Sequence, residues 1–200
     1  GDAAHLMPPF MGQGMCAGIR DVSNLAWKIA YCLKNNHNEK LLNSYQSERY
    51  SNVKEYIKTT AKMGEFVNAI GSANITGEVL SSPDGKKSMK SIKPKLGKGL
   101  GTVKDKNRGK IFPQFKLKNR KSLDEKFSLK PILILSKEIK RNMSNRSNFI
   151  KLDKNKNLNK FFEDSDTKAV IVRPDRFILS SCKSVKDFNS YLAMNLSYLV

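Results

Sequence analysis

Apolar residues near the start of the chain recur at spacings of three and four, the pattern of an amphipathic helix. The spacing predicts a helix from about Gly14 to Lys34, followed by turn-prone residues at 35–38. We expect its apolar stripe to pack in the protein core. The stripe consists of Met15, Ile19, Val22, Leu25, Ala26, Ile29, Ala30 and Leu33.

A second helical pattern runs from about Leu41 to Ile70, and its apolar face also predicts core packing. Gly64 weakens this pattern but need not break the helix. The apolar positions are Leu41, Leu42, Tyr45, Val53, Tyr56, Ile57, Met63, Val67 and Ile70.

The last third of the chain changes to short apolar runs, which predict strands at 131–135, 148–152, 169–172 and 177–179. Residues 173–176 have the length of a hairpin turn, and Ser184 is the expected N-cap of a closing helix. The apolar stripe of that helix would contain Val185, Phe188, Leu192, Leu196 and Leu199. Strands followed by a helix indicate a small α/β domain.

Between these parts, residues 71–110 are rich in Gly, Ser, Lys and Pro, with a predicted turn at 82–85. The segment 97–101 is superficially similar to a dinucleotide-binding loop. It lacks the GxGxxG spacing, a preceding strand and a following helix, so we expect an ordinary loop. The predicted organisation is therefore α/β, or α+β for a fragment, with a helical part at 1–70, an irregular basic linker at 71–110 and an α/β domain at 111–200.

The net charge of +19 could indicate a nucleic-acid-binding protein, so its distribution matters. Residues 71–160 hold 24 basic and 7 acidic side chains, whereas residues 1–70 hold 8 and 6. Aromatic residues are few in the basic stretch, and no helix-turn-helix, RRM or zinc-finger spacing is present. A solvated face and linker explains the charge better. The nucleic-acid alternative predicts binding that weakens steeply with salt.

Composition limits several other classes of protein. The sequence contains no run of 18 apolar residues, so no membrane helix is predicted. It has two histidines and no Cys/His cluster, which argues against a metal site. The three cysteines form no CxxC pair, which suits a reducing cytoplasm. The chain starts at Gly1 without a Met, where a strand should meet a loop, so we expect the C-terminal piece of a longer protein.

Residues 1–28 have the chemistry of a site for a phosphate-bearing cofactor. Asp2 supplies a carboxylate next to Gly1, and two prolines stiffen the loop that follows. Gly12-Gln13-Gly14 then begins a helix whose first amides have no intrahelical partner. Free amides and aligned peptide dipoles attract negative charge to such a helix start.

These residues also resemble a known family. The pattern GDAAHxxPPxxGQGxxxGxRDxxNLAWK at 1–28 is similar to the second flavin-binding motif of the FAD-dependent aromatic hydroxylases. The likeness is strongest to the phenol hydroxylase and 3-(3-hydroxyphenyl)propionate hydroxylase branch. It continues in LLNSYQSER at 41–49 and VIVRPDRF at 170–177, while residues 71–110 match little.

The resemblance implies an FAD site. Asp2 would accept hydrogen bonds from the ribityl chain, and the backbones of Gly12, Gln13, Gly14 and Met15 would face the pyrimidine edge of the flavin. Pro8, with Pro9, would shape the loop beside the ring. We expect a structural role for His5 and assign no catalytic residue. The residue that deprotonates a phenol and the ADP-binding motif should lie outside these 200 residues.

The reaction implied by the resemblance is hydroxylation of a phenolic ring, with NADH or NADPH as electron donor and dioxygen as oxidant. The substrate would be similar to 3-(3-hydroxyphenyl)propionate. The C-terminal domain would be thioredoxin-like without redox cysteines. A homodimer is a possible assembly. Another flavoprotein reaction on the same fold (epoxidation, halogenation or dehydrogenation) is the main alternative. We expect the 200-residue piece alone to be inactive.

Overall fold

The structure is a computed structural model that describes residues 1–35, 38–72, 92–101, 104–115, 122–126, 129–139, 149–151 and 155–195. The turn predicted at 82–85 and the helix positions Leu196 and Leu199 lie outside these residues.

Two long helices make up the first part of the molecule, as the apolar spacing predicts. Helix α1 spans Gly14–Lys34 and helix α2 spans Glu39–Ser72. Gly64 lies inside α2 without breaking it. The two helices pack together around a small core of Trp27, Cys32 and Leu41. Val53 and Tyr56 of the predicted α2 stripe are also buried, whereas Val67 is exposed.

The predicted core face of α1 is wrong. Met15, Val22 and Leu33 are 76%, 66% and 82% exposed, and Ile19 and Ile29 are exposed as well. Half of the buried residues of α1 are instead polar, because their side chains find partners on α2 and beyond. These buried residues are Ala17, Asp21, Asn24, Trp27, Lys28 and Cys32.

The C-terminal part contains a four-stranded sheet in the order β2-β1-β3-β4. Strand β1 pairs in parallel with β2 and antiparallel with β3, and β3 pairs antiparallel with β4. The predicted turn at 173–176 joins β3 to β4, with the amide of Arg176 donating to the carbonyl of Arg173 (2.9 Å). The elements are β1 Ile132–Leu135, β2 Phe149–Lys151, α3 Lys156–Asp164, β3 Ala169–Val172, β4 Ile178–Cys182 and α4 Phe188–Asn195.

Both faces of this sheet are covered, so β1 and β3 are buried along their whole length. Alternate side chains point to opposite faces of a strand. Leu133 and Ile171 therefore join one core with Phe188 and Leu192 of α4. Residues on the other face pack against α3 and the segment before the sheet, in a core of Phe112, Phe115, Leu123, Ile132, Ile134, Leu158, Phe162, Val170, Val172 and Ile178.

Two helices of this domain differ from the sequence prediction. Helix α3 was not predicted, although Asn155 caps it by accepting a hydrogen bond from the amide of Leu158 (3.1 Å). The prediction that Ser184 caps the closing helix is wrong, because α4 begins only at Phe188. Ser184 instead accepts a hydrogen bond from the amide of Lys186 in a preceding turn, and Val185 is exposed.

The described parts of the predicted linker, 92–101 and 104–110, contain no helix or strand, yet they pack against both halves of the molecule. A Cβ atom at Gly99 would lie 2.3 Å from Cγ of Glu48 on α2, and one at Gly101 would lie 2.1 Å from the carbonyl oxygen of Leu179 on β4. The glycines at 97–101 thus permit close contact within this chain, in an ordinary loop as predicted. The exposed lysines of the described basic stretch are Lys93, Lys95, Lys98, Lys104, Lys106, Lys110, Lys137, Lys156 and Lys160.

No helix within the described residues is long and apolar enough to cross a membrane.

Candidate flavin-binding loop and the ion clusters behind it

Residues 1–13 form a compact loop that leads into α1. The carbonyl of Gly1 accepts hydrogen bonds from the amides of Ala4 (2.8 Å) and His5 (3.1 Å). A single 3-10 turn at Pro9–Met11 follows, and Gly12 ends it in the left-handed conformation with φ +58°. A residue with a Cβ rarely adopts this conformation, which explains a glycine at this position.

The predicted site residues all lie on this loop or on the first turn of α1. Asp2, Gly12 and Met15 are exposed, while Pro8, Gln13 and Gly14 are half-buried. The first amides of α1 have no intrahelical partner. A Cβ at Gly12 or Gly14 would meet no atom within 4 Å, so the space in front of the helix start is open. An exposed carboxylate and a clear helix N-terminus fit the hydroxyl groups and the electron-rich ring edge of a flavin.

Aromatic and polar contacts attach the loop to α2 and α1. The ring of Phe10 packs against Gly64, where an added Cβ would lie 2.3 Å from the ring. Gly64 in the middle of α2 is therefore explained by a close contact with the loop. Arg20 donates to the side-chain oxygen of Gln13 (3.3 Å) and lies over the ring of Tyr56 (4.8 Å to the centroid).

A buried ion cluster lies behind the loop. Asp21 accepts a hydrogen bond from Nε of Arg49 (2.7 Å) and shares one with Nε2 of His5 (2.7 Å). Burial raises the pKa of Asp21, but hydrogen bonds, among them those from Arg49 and His5, outweigh it and lower the pKa below its usual value. The contact supports the structural role expected for His5. The arginine paired with Asp21 is Arg49 of α2. Arg20, which precedes Asp21 in the sequence, bonds Gln13 instead.

A second buried cluster joins the helices to the C-terminal sheet. Glu48 of α2 accepts from Nη1 of Arg173 (2.8 Å) and from Nζ of Lys28 (2.9 Å). It also accepts from Asn24 (3.1 Å) and from the amide of Leu100 (3.0 Å), which fills the capacity of the carboxylate. Asp175 completes the cluster through two hydrogen bonds from Arg173 (3.0 and 2.5 Å).

The charges of this cluster balance, and they shift one another's pKa values. Burial alone would raise the pKa of Glu48, but the charges and hydrogen bonds of Arg173 and Lys28 lower it to about 2. Burial lowers the pKa of Lys28 to about 8, against the opposing effect of Glu48. Both side chains are fully buried. Glu48 and Lys28 are therefore both ionised at neutral pH.

Sequence patterns alone did not predict these clusters. Asp21, Asn24 and Lys28 share one face of α1 by their spacing, but a polar face is ordinarily assigned to solvent. The motif segments could have pointed to these clusters. Glu48 and Arg49 belong to the segment 41–49. Arg173 and Asp175 belong to the segment 170–177. Among the described residues, no group of three or more His, Cys, Asp or Glu side chains could hold a metal ion.

Comparison with known proteins shows what the first part of the chain is similar to. The sequence pattern of the FAD binding domain family matches residues 1–60. A probable NADH-specific resorcinol 4-hydroxylase of Rhodococcus jostii (strain RHA1) is 36% identical over 118 residues, which are 57% of this chain and 21% of the relative. A 3-(3-hydroxy-phenyl)propionate/3-hydroxycinnamic acid hydroxylase of Burkholderia cenocepacia (strain HI2424) is 45% identical over 67 residues, 34% of this chain and 12% of the relative.

The fold has counterparts among solved structures. Aklavinone-11 hydroxylase, in a ternary complex with FAD and aklavinone, matches with a TM-score of 0.66 and 17% identity. The match covers 98% of this chain and 43% of the hydroxylase. This chain thus spans at most about a fifth of the length of the curated relatives and under half of the solved structure. Residues 1–60 match the FAD binding domain family, and the predicted resemblance of this chain to the FAD-dependent aromatic hydroxylases is confirmed by these relatives.

Proposed function

We propose that this chain is part of an FAD- and NAD(P)H-dependent monooxygenase that hydroxylates a phenolic ring. The observation that carries the proposal is the loop at 1–13, whose exposed carboxylate and open helix start lie within the segment that matches the FAD binding domain. The relatives are named for resorcinol and for 3-(3-hydroxy-phenyl)propionate. Both compounds are small phenols, which supports a small phenol as substrate.

Each predicted site residue has a role in this proposal. The Asp2 carboxylate accepts hydrogen bonds from ribityl hydroxyls, and each charge-assisted bond contributes about 1.5–3 kcal/mol. The backbone amides at Gly14 and Met15 face the pyrimidine edge, with Gly12 and Gln13 setting the start of the helix. Pro8 holds the loop beside the ring. These residues suit a flavin because the Asp2 carboxylate is exposed and a Cβ at Gly12 or Gly14 would meet no atom within 4 Å.

When bound, FAD supplies the redox chemistry, accepting a hydride from the nicotinamide and activating dioxygen. The residues of this chain bind and orient it. A helix N-terminus stabilises negative charge by about 0.3–1 kcal/mol, and by up to about 2 kcal/mol when partly buried. Reduced flavin carries negative charge near its pyrimidine edge, so the start of α1 favours the reduced form.

The C-terminal sheet supports a thioredoxin-like domain at 111–200 that follows a linker at 71–110. The order β2-β1-β3-β4, with one parallel and two antiparallel pairs and helices on both faces, is compatible with such a domain. Cys182 is buried, and neither of the other two cysteines lies within this segment, which supports a domain without redox function. The exposed apolar stripe of α1 supports a longer polypeptide, since such a face is ordinarily covered.

The test is an assay of the complete polypeptide that contains this chain. We expect phenol-dependent oxidation of NADH or NADPH, with one hydroxylated product formed for each nicotinamide consumed. A panel of resorcinol, 3-(3-hydroxyphenyl)propionate and plain phenol would rank the substrates. Oxidation that yields hydrogen peroxide alone with every phenol would favour a different flavoprotein reaction on the same fold.

A further inference from the structure

Two adjacent residues of α2 connect opposite sides of the molecule. Successive residues of an α-helix point about 100° apart, so Glu48 and Arg49 face different partners. Glu48 bonds Arg173 in the turn between β3 and β4, which is 125 residues away in sequence. Arg49 bonds Asp21, which holds His5 of the flavin-binding loop. One turn of α2 therefore lies between the sheet and the loop.

We propose that Arg173 is a positioning residue for the flavin, which couples the C-terminal sheet to the loop at 1–13 through Glu48 and Arg49. The inference rests on the proposed function, because it assumes that the loop binds FAD. It adds a role for the C-terminal domain, which contributes no residue to the loop itself. The sheet would fix the position of α2 and, with it, the anchors of the loop.

Burial makes this connection stiff. Glu48, Arg49 and Arg173 are all at most 3% exposed. Moving α2 away from Arg173 would break the buried Glu48–Arg173 ion pair and leave Glu48 with Lys28 as its remaining charged partner, which is unfavourable. The loop has no anchor independent of the two helices among the described contacts. His5 reaches Asp21 of α1, and Phe10 packs on Gly64 of α2.

The β3–β4 turn supplies a matched control. Arg176 lies three residues from Arg173 in the same turn, but it bonds Asp124 and the carbonyl of Phe112, away from α2. We expect Arg173→Met in the complete polypeptide to raise the dissociation constant for FAD about tenfold, a typical coupling between sites. Arg176→Met should leave this constant within about twofold of the wild type, since mutations without shared partners act independently.

Trp27, the one tryptophan among these 200 residues, reports the loss of the contact without any flavin. The guanidinium of Arg173 lies 5.3 Å from the centroid of the Trp27 ring. Arg173→Met should change the emission of Trp27, and Arg176→Met should not. A purely structural role for Arg173 would lower the urea midpoint and change the emission while FAD affinity stayed at the wild-type value under native conditions. That combination would overturn the proposal.

Hydrogen exchange on the wild type gives a test that does not depend on a variant that folds. Because coupling is reciprocal, FAD should slow exchange of the amides at Leu100 and in the turn 173–176, as well as in the loop. Slower exchange confined to residues 1–16 would contradict the coupling. Failure of the wild type to bind FAD at all would reject the proposed function instead, so the two failures are distinguishable.

Discussion

At the scale of single residues, Glu48 is the most connected side chain of the helical pair. Its two oxygens accept four hydrogen bonds, two of them from cations, in a position with no solvent exposure. Such a group is costly to disturb because its partners are also buried. Removing one member of a buried ion pair destabilises proteins by about 3–5 kcal/mol, more than the pair itself contributes.

Glu48→Gln should therefore lower the free energy of unfolding by about 3–5 kcal/mol, since it leaves Arg173 and Lys28 with a neutral partner. Urea denaturation followed by circular dichroism measures this. Glu55→Gln on the exposed side of α2 is the matched control and should change stability by less than about 0.5 kcal/mol. Equal effects of the two substitutions would show that the cluster is not formed.

The low pKa of Glu48 also predicts a dependence of stability on pH. Folding lowers this pKa from 4.5 to about 2, so the folded protein binds fewer protons than the unfolded chain between those values. The contribution of Glu48 is complete above its unfolded pKa and is lost as the pH falls toward 2. The difference in unfolding free energy between wild type and Glu48→Gln should shrink between pH 6 and pH 3. Below pH 4.5, its slope against pH should be about that given by one bound proton. A constant difference over this range would contradict the assignment.

At the scale of elements, periodicity predicted the two long helices, the buried strands of the sheet and the turn at 173–176. Periodicity gave the wrong buried face where apolar residues are exposed and polar residues are buried. The apolar face of α1 is exposed while Asp21, Asn24 and Lys28 are buried, because the partners of these polar residues come from α2 and from residue 175. A hydrophobic pattern indicates whether each residue favours burial by its own chemistry. It does not indicate the hydrogen-bond partners that a distant segment provides.

Two leucines test which face of the helical pair is buried in this chain. Leu33 of α1 is 82% exposed and Leu41 of α2 is 7% exposed. Leu41→Ala should cost about 2–5 kcal/mol, as expected for a buried leucine. Leu33→Ala should cost less than about 0.5 kcal/mol. Thermal or urea unfolding of the 200-residue chain decides this, and a large loss from Leu33→Ala would restore the apolar stripe as a core face.

The loop at 97–101 is the element whose glycines could be explained only by the structure. We expect Gly99→Ala to destabilise by about 1–3 kcal/mol, because the new methyl group would overlap Glu48. Gly71→Ala in α2 meets no atom within 4 Å and should be neutral or stabilise by up to about 1 kcal/mol. Differential scanning calorimetry of both variants measures the contrast. A neutral Gly99→Ala would mean that the loop does not lie against α2.

At the scale of the whole molecule, the three motif segments at 1–28, 41–49 and 170–177 form one connected assembly. The clusters of Asp21 with Arg49 and of Glu48 with Arg173 bring them together across the helices and the sheet. Sequence alone could identify the segments and their family but not their contacts, since separations of up to 125 residues carry no periodic signal. The exposed helix start that this assembly supports is the feature on which the flavin assignment rests.

FAD titration of the flavin-free complete polypeptide decides whether the loop at 1–13 helps to bind the cofactor. We predict saturable uptake of one FAD by the wild type. We also predict that Asp2→Ala raises the dissociation constant about tenfold to a hundredfold, the loss expected for one charge-assisted hydrogen bond. Glu65→Ala, an exposed acid on α2, should leave the constant unchanged. A wild-type protein that takes up no FAD, or an Asp2→Ala variant with wild-type affinity, would contradict the account.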